Sequence, residues 1–299
     1  MTEPKNPKIS VVMPAYNHEK YVGEAVESVL TQSFQDLELV VIDDGSRDRT
    51  GEIVKSYAEK DPRVRYMYQE NQDAYNSLNR GIRESKGEWF AIINSDDAFM
   101  PGRLQKLWEA KDELHADCLF TDVIPVDHQS KEIPEGNHYW HSWHQKNREQ
   151  YFTAGDLYTG FLHGNFMVTT SNLFFSREAQ EKTGFFSPLR YLHDYDFMFR
   201  IMLACPGAVH YLKDDKLLYY RIHGGNTLRE GAIKARLEDQ KVIRKYLLAA
   251  LPEELRLKAA TGVDRLVALE AELGEVRHSP VEAIRNTGPM QKLLTLIRR

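Results

Sequence analysis

Leu37-Glu38-Leu39-Val40-Val41-Ile42 runs straight into Asp43-Asp44-Gly45-Ser46-Arg47-Asp48. Six residues, apolar except for Glu38, have the length and character of a strand buried on both faces. The polar stop holds a glycine that permits a tight turn and two candidate helix caps, Ser46 and Asp48. Ile53, Val54, Tyr57 and Ala58 then fall on one side of a helix. A buried strand, a polar turn and an amphipathic helix thus follow one another.

The same figure repeats outward in both directions. Ile9 to Met13 is an apolar run stopped at Pro14-Ala15-Tyr16-Asn17, and the positions 21, 22, 25, 26, 29 and 30 carry a helical stripe. Val64 to Tyr68 precedes a helix with Ala74, Leu78 and Ile82 at four-residue intervals. Trp89 to Ile93 ends in Asn94-Ser95-Asp96-Asp97, Pro101 opens a helix to about His115, and Cys118 to Ile124 is a fifth strand. Continuous apolar strands alternating with helices predict a mostly parallel sheet covered on both faces, of Rossmann-like α/β class. Ligands of such sheets bind beyond the carboxyl ends of the strands. The polar clusters at 14–17, 43–48 and 94–97 all fall there.

After Ile124 the rhythm stops. Residues 125–160 read as a long loop or short helices, within which the cluster His138-Tyr139-Trp140-His141-Ser142-Trp143-His144 either lines one side of a ligand site or forms a partly buried loop. A strand is expected over Met167 to Phe175, a helix over Asp194 to Leu203, and strands near 208–212 and 217–222. Beyond Thr227 the chain reads as helical, broken at Pro252 and Gly288-Pro289. Two regions are expected: 1–227, whose halves are 1–124 and 125–227, and a helical extension over 228–299.

Composition narrows the class of function. With 42% hydrophobic and 28% charged residues, the 299-residue chain is neither disordered nor a membrane bundle. Its 39 basic against 44 acidic residues leave a net charge of -5, so no global basic field exists to bind nucleic acid. Cys118 and Cys205 lack a partner motif, which fits a reducing compartment. No apolar h-region of signal-peptide length follows Met1 to Lys8, so no secretory signal is expected and the chain reads as cytoplasmic.

Aspartates at strand ends are hard oxygen ligands for Mg2+ or Mn2+. Adjacent residues on extended backbone point apart, so one of Asp96 and Asp97 can face a metal while the other reaches a sugar hydroxyl; the competing reading is a helix cap. An aspartate of the Asp43-Asp44 turn can accept from a base imide or a ribose hydroxyl, and Tyr16 offers a flat ring beside it. Gln72, Asn76 and Asn79 share one helical face. Neither a G-x-G-x-x-G turn nor a phosphate-binding P-loop is present, so dinucleotide-binding and P-loop NTPase readings fail. Ile42 stands where a D-x-D-G-T/S phosphatase loop needs an acid.

Taken together the segments resemble glycosyltransferase family 2, of the GT-A fold. The resemblance rests on Val11 to Asn17, Val41 to Asp48, Asn79-Arg80-Gly81-Ile82, Ser95-Asp96-Asp97 with Met100 to Leu104, His193-Asp194-Tyr195-Asp196-Phe197-Met198-Phe199-Arg200, and Tyr220-Arg221-Ile222-His223. It covers residues 8–227 and implies a metal-dependent, inverting hexosyl transfer from a nucleoside-diphosphate sugar, with a UDP-sugar favoured. The acceptor it implies is a glycan or lipid-linked hydroxyl, in cell-surface polysaccharide synthesis. By the same resemblance Asp194 is the catalytic base, while Pro14, Tyr16, Asp43, Asn79, Asp96 and Arg221 hold the donor. Asp97, Asp96 and His223 would hold Mn2+ or Mg2+. The sequence departs from the family pattern at Asn94, where an acid is usual, at His193, where Glu is usual, and at Gln72 and Asp73, where glycines are usual. A non-catalytic sugar-nucleotide-binding module on the same fold is the alternative.

At the far end, Met290, Leu293, Leu294 and Ile297 form one apolar stripe flanked by Lys292, Arg298 and Arg299, with Arg285 before it. Two readings stand: packing on the helices over Ala235 to Leu273, or peripheral contact with an anionic membrane.

Overall fold

The computed structural model describes residues 6–136, 138–224 and 232–253, with scattered positions as far as 268. Eight strands form one sheet: β1 (Ile9–Ala15), β2 (Leu37–Asp44), β3 (Val64–Gln69), β4 (Trp89–Ile92), β5 (Ala98–Phe99), β6 (Cys118–Val126), β7 (Phe174–Ser176) and β8 (Val209–Arg221). Their order is β3-β2-β1-β4-β7-β6-β8-β5. The pairs β3/β2, β2/β1, β1/β4 and β6/β8 are parallel, while β7 runs antiparallel to both its neighbours and β5 antiparallel to β8.

Burial on both faces follows from the pleat, which sends alternate side chains to opposite sides. Ile9, Val11 and Met13 of β1 and Leu39 and Val41 of β2 join one core. Helices α1 (Val22–Leu30) and α4 (Arg103–Glu113) bury Val22, Ala25, Val26 and Val29, and Leu104 and Leu107, in that core. Each buried valine or leucine among them contributes about 1.5–3 kcal/mol. On the opposite face helix α3 (Ala74–Glu84) lies against β1 and β2 so closely that a Cβ on Gly81 would stand 2.3 Å from Val12 Cγ1. The glycine permits the approach that buries Leu78 and Ile82.

Glu38, the one charge among Leu37–Ile42, is buried but well partnered. It accepts from Ser10 Oγ at 2.7 Å, from the Lys86 amide at 2.6 Å and from Arg65 at 2.9 Å. Between β2 and β3 runs α2 (Thr50–Ala58), whose start is held by Asp48: its Oδ1 accepts from the Thr50 amide and hydroxyl. Ser46 caps nothing; its hydroxyl accepts from the Asn17 amide of the neighbouring loop.

The second half settles one open reading and departs from the sequence in two places. The stretch read as a long loop or short helices forms two helices, α5 (Tyr139–Ala154) and α6 (Leu157–His163). The inward side of α5 is Trp140, His144 and Asn147, a helical spacing written in polar residues that an apolar-periodicity reading passes over. Buried Asp122 of β6 anchors the helix, bonding His144 Nε2 at 2.7 Å and Arg148 at 2.8 Å. Within Met167 to Phe175 only the end is strand, because Thr170–Asn172 makes a 3-10 turn before β7. Asn172 turns its amide inward there, donating to the Thr121 and Met167 carbonyls. Finally, 208–212 and 217–222 are one strand, β8, whose pairing with β6 jumps from Thr121↔Leu212 to Asp122↔Lys216.

Helices α7 (Arg177–Thr183) and α8 (His193–Ala204) complete the unit Met1–Glu230. The second unit, Gly231–Arg299, is described chiefly by α9 (Ala232–Ala250), which carries the expected helical character. The expected division at 227 and the Met290–Ile297 stripe lie outside the described residues. No described helix is long and apolar enough to cross a membrane.

Gly81→Ala is expected to destabilise the protein by about 1–3 kcal/mol, the usual cost of forcing a methyl group into a packed face. Urea unfolding followed by circular dichroism measures it. An unchanged midpoint would show that α3 can withdraw from Val12 without cost.

Candidate active site

Strand order reverses beside β1, with β2 on one side and β4 on the other. This reversal of strand order lies at the carboxyl edge, the position where open α/β sheets bind ligands. A cleft of about 660 Å³ occupies this place. It is lined by Pro14 and Tyr16 after β1, Asp44 at the end of β2, Asp96 after β4, and Asp194 and His223 from the second half. A smaller hollow of about 420 Å³ near Tyr151, Asp156 and Tyr211 gathers none of the motif residues.

The first two loops are tied to each other before any ligand arrives. Asn17, at a positive φ of 53°, donates its amide to Ser46 Oγ and accepts from the Arg47 amide through Oδ1. The Glu19 amide donates to Asp48 Oδ2 and the His18 amide to Thr50 Oγ1. Tyr16 is left 44% exposed on the cleft wall, a flat face available for stacking. Of the Asp43-Asp44 pair it is Asp44 that lines the cleft, held by Gln69 and the Gln72 amide. Asp43 lies behind, 2% exposed, accepting from the Ser46 amide and from Tyr66 Oη at 2.7 Å. Its carboxylate shapes the turn that presents Asp44.

Asp96 and Asp97 do point apart, but with an outcome the sequence reading did not contain. Asp96 faces the cleft, where its Oδ2 lies 2.9 Å from His223 Nε2 and 4.0 Å from His18 Nε2. Burial would raise its carboxyl, yet His18 and His223 hold it below the ordinary carboxylate value. Asp97 faces the protein interior. Its Oδ1 accepts from the Arg221 amide, and its Oδ2 from Ser171 and Thr169 hydroxyls. Burial, and then the charge of Asp96 beside it, push its carboxyl up to about 7. Of the residues expected to hold an ion, Asp97 thus lies outside the cleft lining, where its oxygens hold β8 and the 3-10 turn in place.

His18 was not among the sequence candidates, because one histidine in a loop carries no spacing signal. The fold brings it to Asp96 and His223, so that one ligand atom from each lies within 4.8 Å of the others. Its Nδ1 is bonded to Ser95 Oγ at 2.8 Å, which leaves Nε2 for the cluster. Two imidazoles and a carboxylate with a second-sphere partner are a donor set that fits a divalent ion.

Two further expectations change. Arg221 is 1% exposed, and its guanidinium bonds the Asp96 and Asp127 carbonyls, Ser130 Oγ and Glu24 Oε2, all between 2.7 and 3.0 Å. It clamps β8 to α1 and to the turns after β4 and β6, and it does not line the cleft where a diphosphate contact was expected. Asn79 is likewise turned away from the cleft, exchanging two hydrogen bonds with the backbone of Phe186. Arg190, which the motifs did not single out, does line the cleft and is paired there with Asp73.

Asp194 opens α8 and is 6% exposed on the cleft. Burial raises its carboxyl above the ordinary value against the opposing pull of His193, the Tyr195 amide and Asn165. Asp196, two residues on, is occupied by Ser187 Oγ and Arg200 Nε.

The family model described as Glycosyl transferase family 2 matches residues 10–179, more than half of the chain. The chain belongs to this family. An uncharacterized glycosyltransferase of Rickettsia typhi is 29% identical over 237 residues, 74% of this chain and 66% of the relative. The chain thus spans just under two thirds of the length of the curated relatives it first matches. Among solved structures, S. aureus TarS 1-349 in complex with UDP-GlcNAc superposes with a TM-score of 0.64 at 20% identity, covering 96% of this chain and 77% of that 1-349 chain. Mannosyltransferase PcManGT from Pyrobaculum calidifontis, in complex with GDP-Man and Mn2+, gives 0.59 at 15% identity, covering 98% and 79%. These likenesses establish the GT-A fold.

Replacing Arg221 separates the structural from the ligand-contact role. Arg221→Gln is expected to cost about 3 kcal/mol of stability, because it leaves buried acceptors without partners. Thermal and urea unfolding measure the loss. A variant as stable as the wild type but weaker for nucleoside diphosphates would restore the phosphate-contact role.

Proposed function

We propose that this chain is an inverting, metal-assisted glycosyltransferase. It would move a sugar from a nucleoside-diphosphate donor to a hydroxyl of a glycan or lipid-linked acceptor, at the cytoplasmic side of cell-surface polysaccharide synthesis. The observation that carries this reading is the meeting of a buried, cleft-facing Asp194 with Asp96, His18 and His223 in one crevice at the sheet's reversal point. The TarS structure holds a UDP-sugar and the PcManGT structure a GDP-sugar with Mn2+, which supports the donor class; a UDP-sugar is the favoured choice.

In this reading Tyr16 stacks on the nucleobase and Asp44 accepts from base or ribose, while Pro14 shapes the wall beneath them. Arg190, displaced from Asp73, offers a cation to the diphosphate. A divalent ion held by His18, Asp96 and His223 would neutralise charge on the leaving diphosphate when bound. Asp194 accepts the proton of the acceptor hydroxyl as its oxygen attacks C1. The bond from C1 to the diphosphate oxygen breaks on the opposite face, so configuration at C1 inverts. The sugar passes through an oxocarbenium-like state, as in glycoside hydrolysis.

Asp194→Asn is expected to bind donor normally and to lose transfer by about 10²–10⁴-fold. Because the base must be ionised and burial raises its carboxyl, the rate should fall as pH drops through that raised value, and the acid limb should vanish in the variant. Asp196→Asn should chiefly lower stability. Nucleoside-diphosphate release, assayed with a panel of sugar nucleotides, reads all three. Donor binding without turnover across donors and acceptors would instead identify a binding module.

A further inference from the structure

We infer that His18 is a third protein ligand of the cleft's ion, so that the chain takes up a divalent transition metal before any nucleotide arrives and prefers Mn2+ to Mg2+. This deepens the metal-assisted reading of the cleft and rests on it.

Four observations carry the inference. His18 Nε2 and His223 Nε2 both approach the same oxygen, Asp96 Oδ2, at 4.0 and 2.9 Å. All three ligand atoms fall within 4.8 Å of one another, a span that a single ion can bridge. The ring of His18 is set by Ser95 Oγ on Nδ1 and by its backbone bond to Thr50, so Nε2 points to the cluster without reordering the loop. Its ring also packs edge-on against His223 and Tyr21, which limits its rotation. A histidine whose second nitrogen is fixed in this way has the usual form of a metal ligand.

The chemistry of the set then decides which ion and when. Mg2+ dehydrates reluctantly and is commonly held by one or two carboxylates plus substrate phosphates. It gains little from two imidazoles. Transition ions accept imidazole readily, and three protein ligands supply enough affinity without phosphate oxygens. Asp97 does not line the cleft, and its oxygens accept from Arg221, Ser171 and Thr169, so Asp96 is the carboxylate that faces the two imidazoles. The ion-binding order therefore becomes metal first, donor second.

The test is titration of the nucleotide-free full chain with Mn2+, following the free aqueous ion by electron paramagnetic resonance, with circular dichroism as the fold control. One Mn2+ per chain is expected, displaced by less than half at about 100-fold excess Mg2+. His18→Gln should weaken binding at least tenfold, and Ser95→Ala, which frees the ring without removing the ligand, by about 10- to 100-fold. If His18→Gln fails to fold, Ser95→Ala decides. Wild-type affinity in the folded variants, or equal competition by Mg2+, would overturn the inference. Mn2+ uptake seen only after UDP is added would also overturn it, while leaving the glycosyltransferase reading intact.

Discussion

Two carboxylates in consecutive positions cannot share one buried environment in the same charge state at low cost. At the end of β4 this constraint is met by division. Asp96 turns to the cleft, where imidazoles favour its charge, and Asp97 turns inward to hydroxyls and a backbone amide, where burial favours its proton. Arg221 makes the division permanent: its amide bonds Asp97 and its guanidinium bonds the Asp96 carbonyl. Because Arg221 also reaches Glu24 on α1 and Asp127 beyond β6, the same clamp sets where β8 ends. His223, two residues past that end, is delivered to Asp96 as a consequence.

The cleft is preorganised by similar bonds between loops. Asn17, Ser46, Asp48 and Thr50 join the turns after β1 and β2, and His18 joins the turn after β4 through Ser95. Loops fixed in this manner pay little entropy on binding, so donor contacts made there count more fully toward affinity. Arg190 and Asp73 differ in kind. Both are partly exposed and come from opposite walls, so their pairing is a surface contact that an anionic ligand can replace.

Many polar residues of the motifs serve the scaffold. Arg103 of the Met100–Leu104 segment is 1% exposed and bonds Thr121 and Asn172, with burial lowering its guanidinium to about 9. Asn79 clasps Phe186, Glu38 holds the turn before β4, and Asp43 shapes its own loop. A buried polar group must find a partner, which makes such residues intolerant of change for reasons unrelated to chemistry. In a sequence they look the same as ligand contacts.

The alternation of buried runs with helical stripes over residues 9–124 determined the class of sheet and the edge at which ligands meet, because side-chain periodicity is a local property of strand and helix. It also determined that Asp96, Asp194, Tyr16 and His223 lie at element ends. It did not determine which way an aspartate at a strand end faces, because two adjacent carboxylates are equivalent until distant partners exist. Ser171 and the Arg221 amide, 74 and 124 residues away, made that choice. For the same reason His18 stayed silent in the sequence, and α5 hid behind polar residues whose partner, Asp122, lies on another element. Long-range hydrogen bonds carry no period. Only the folded chain sorts clamp from ligand.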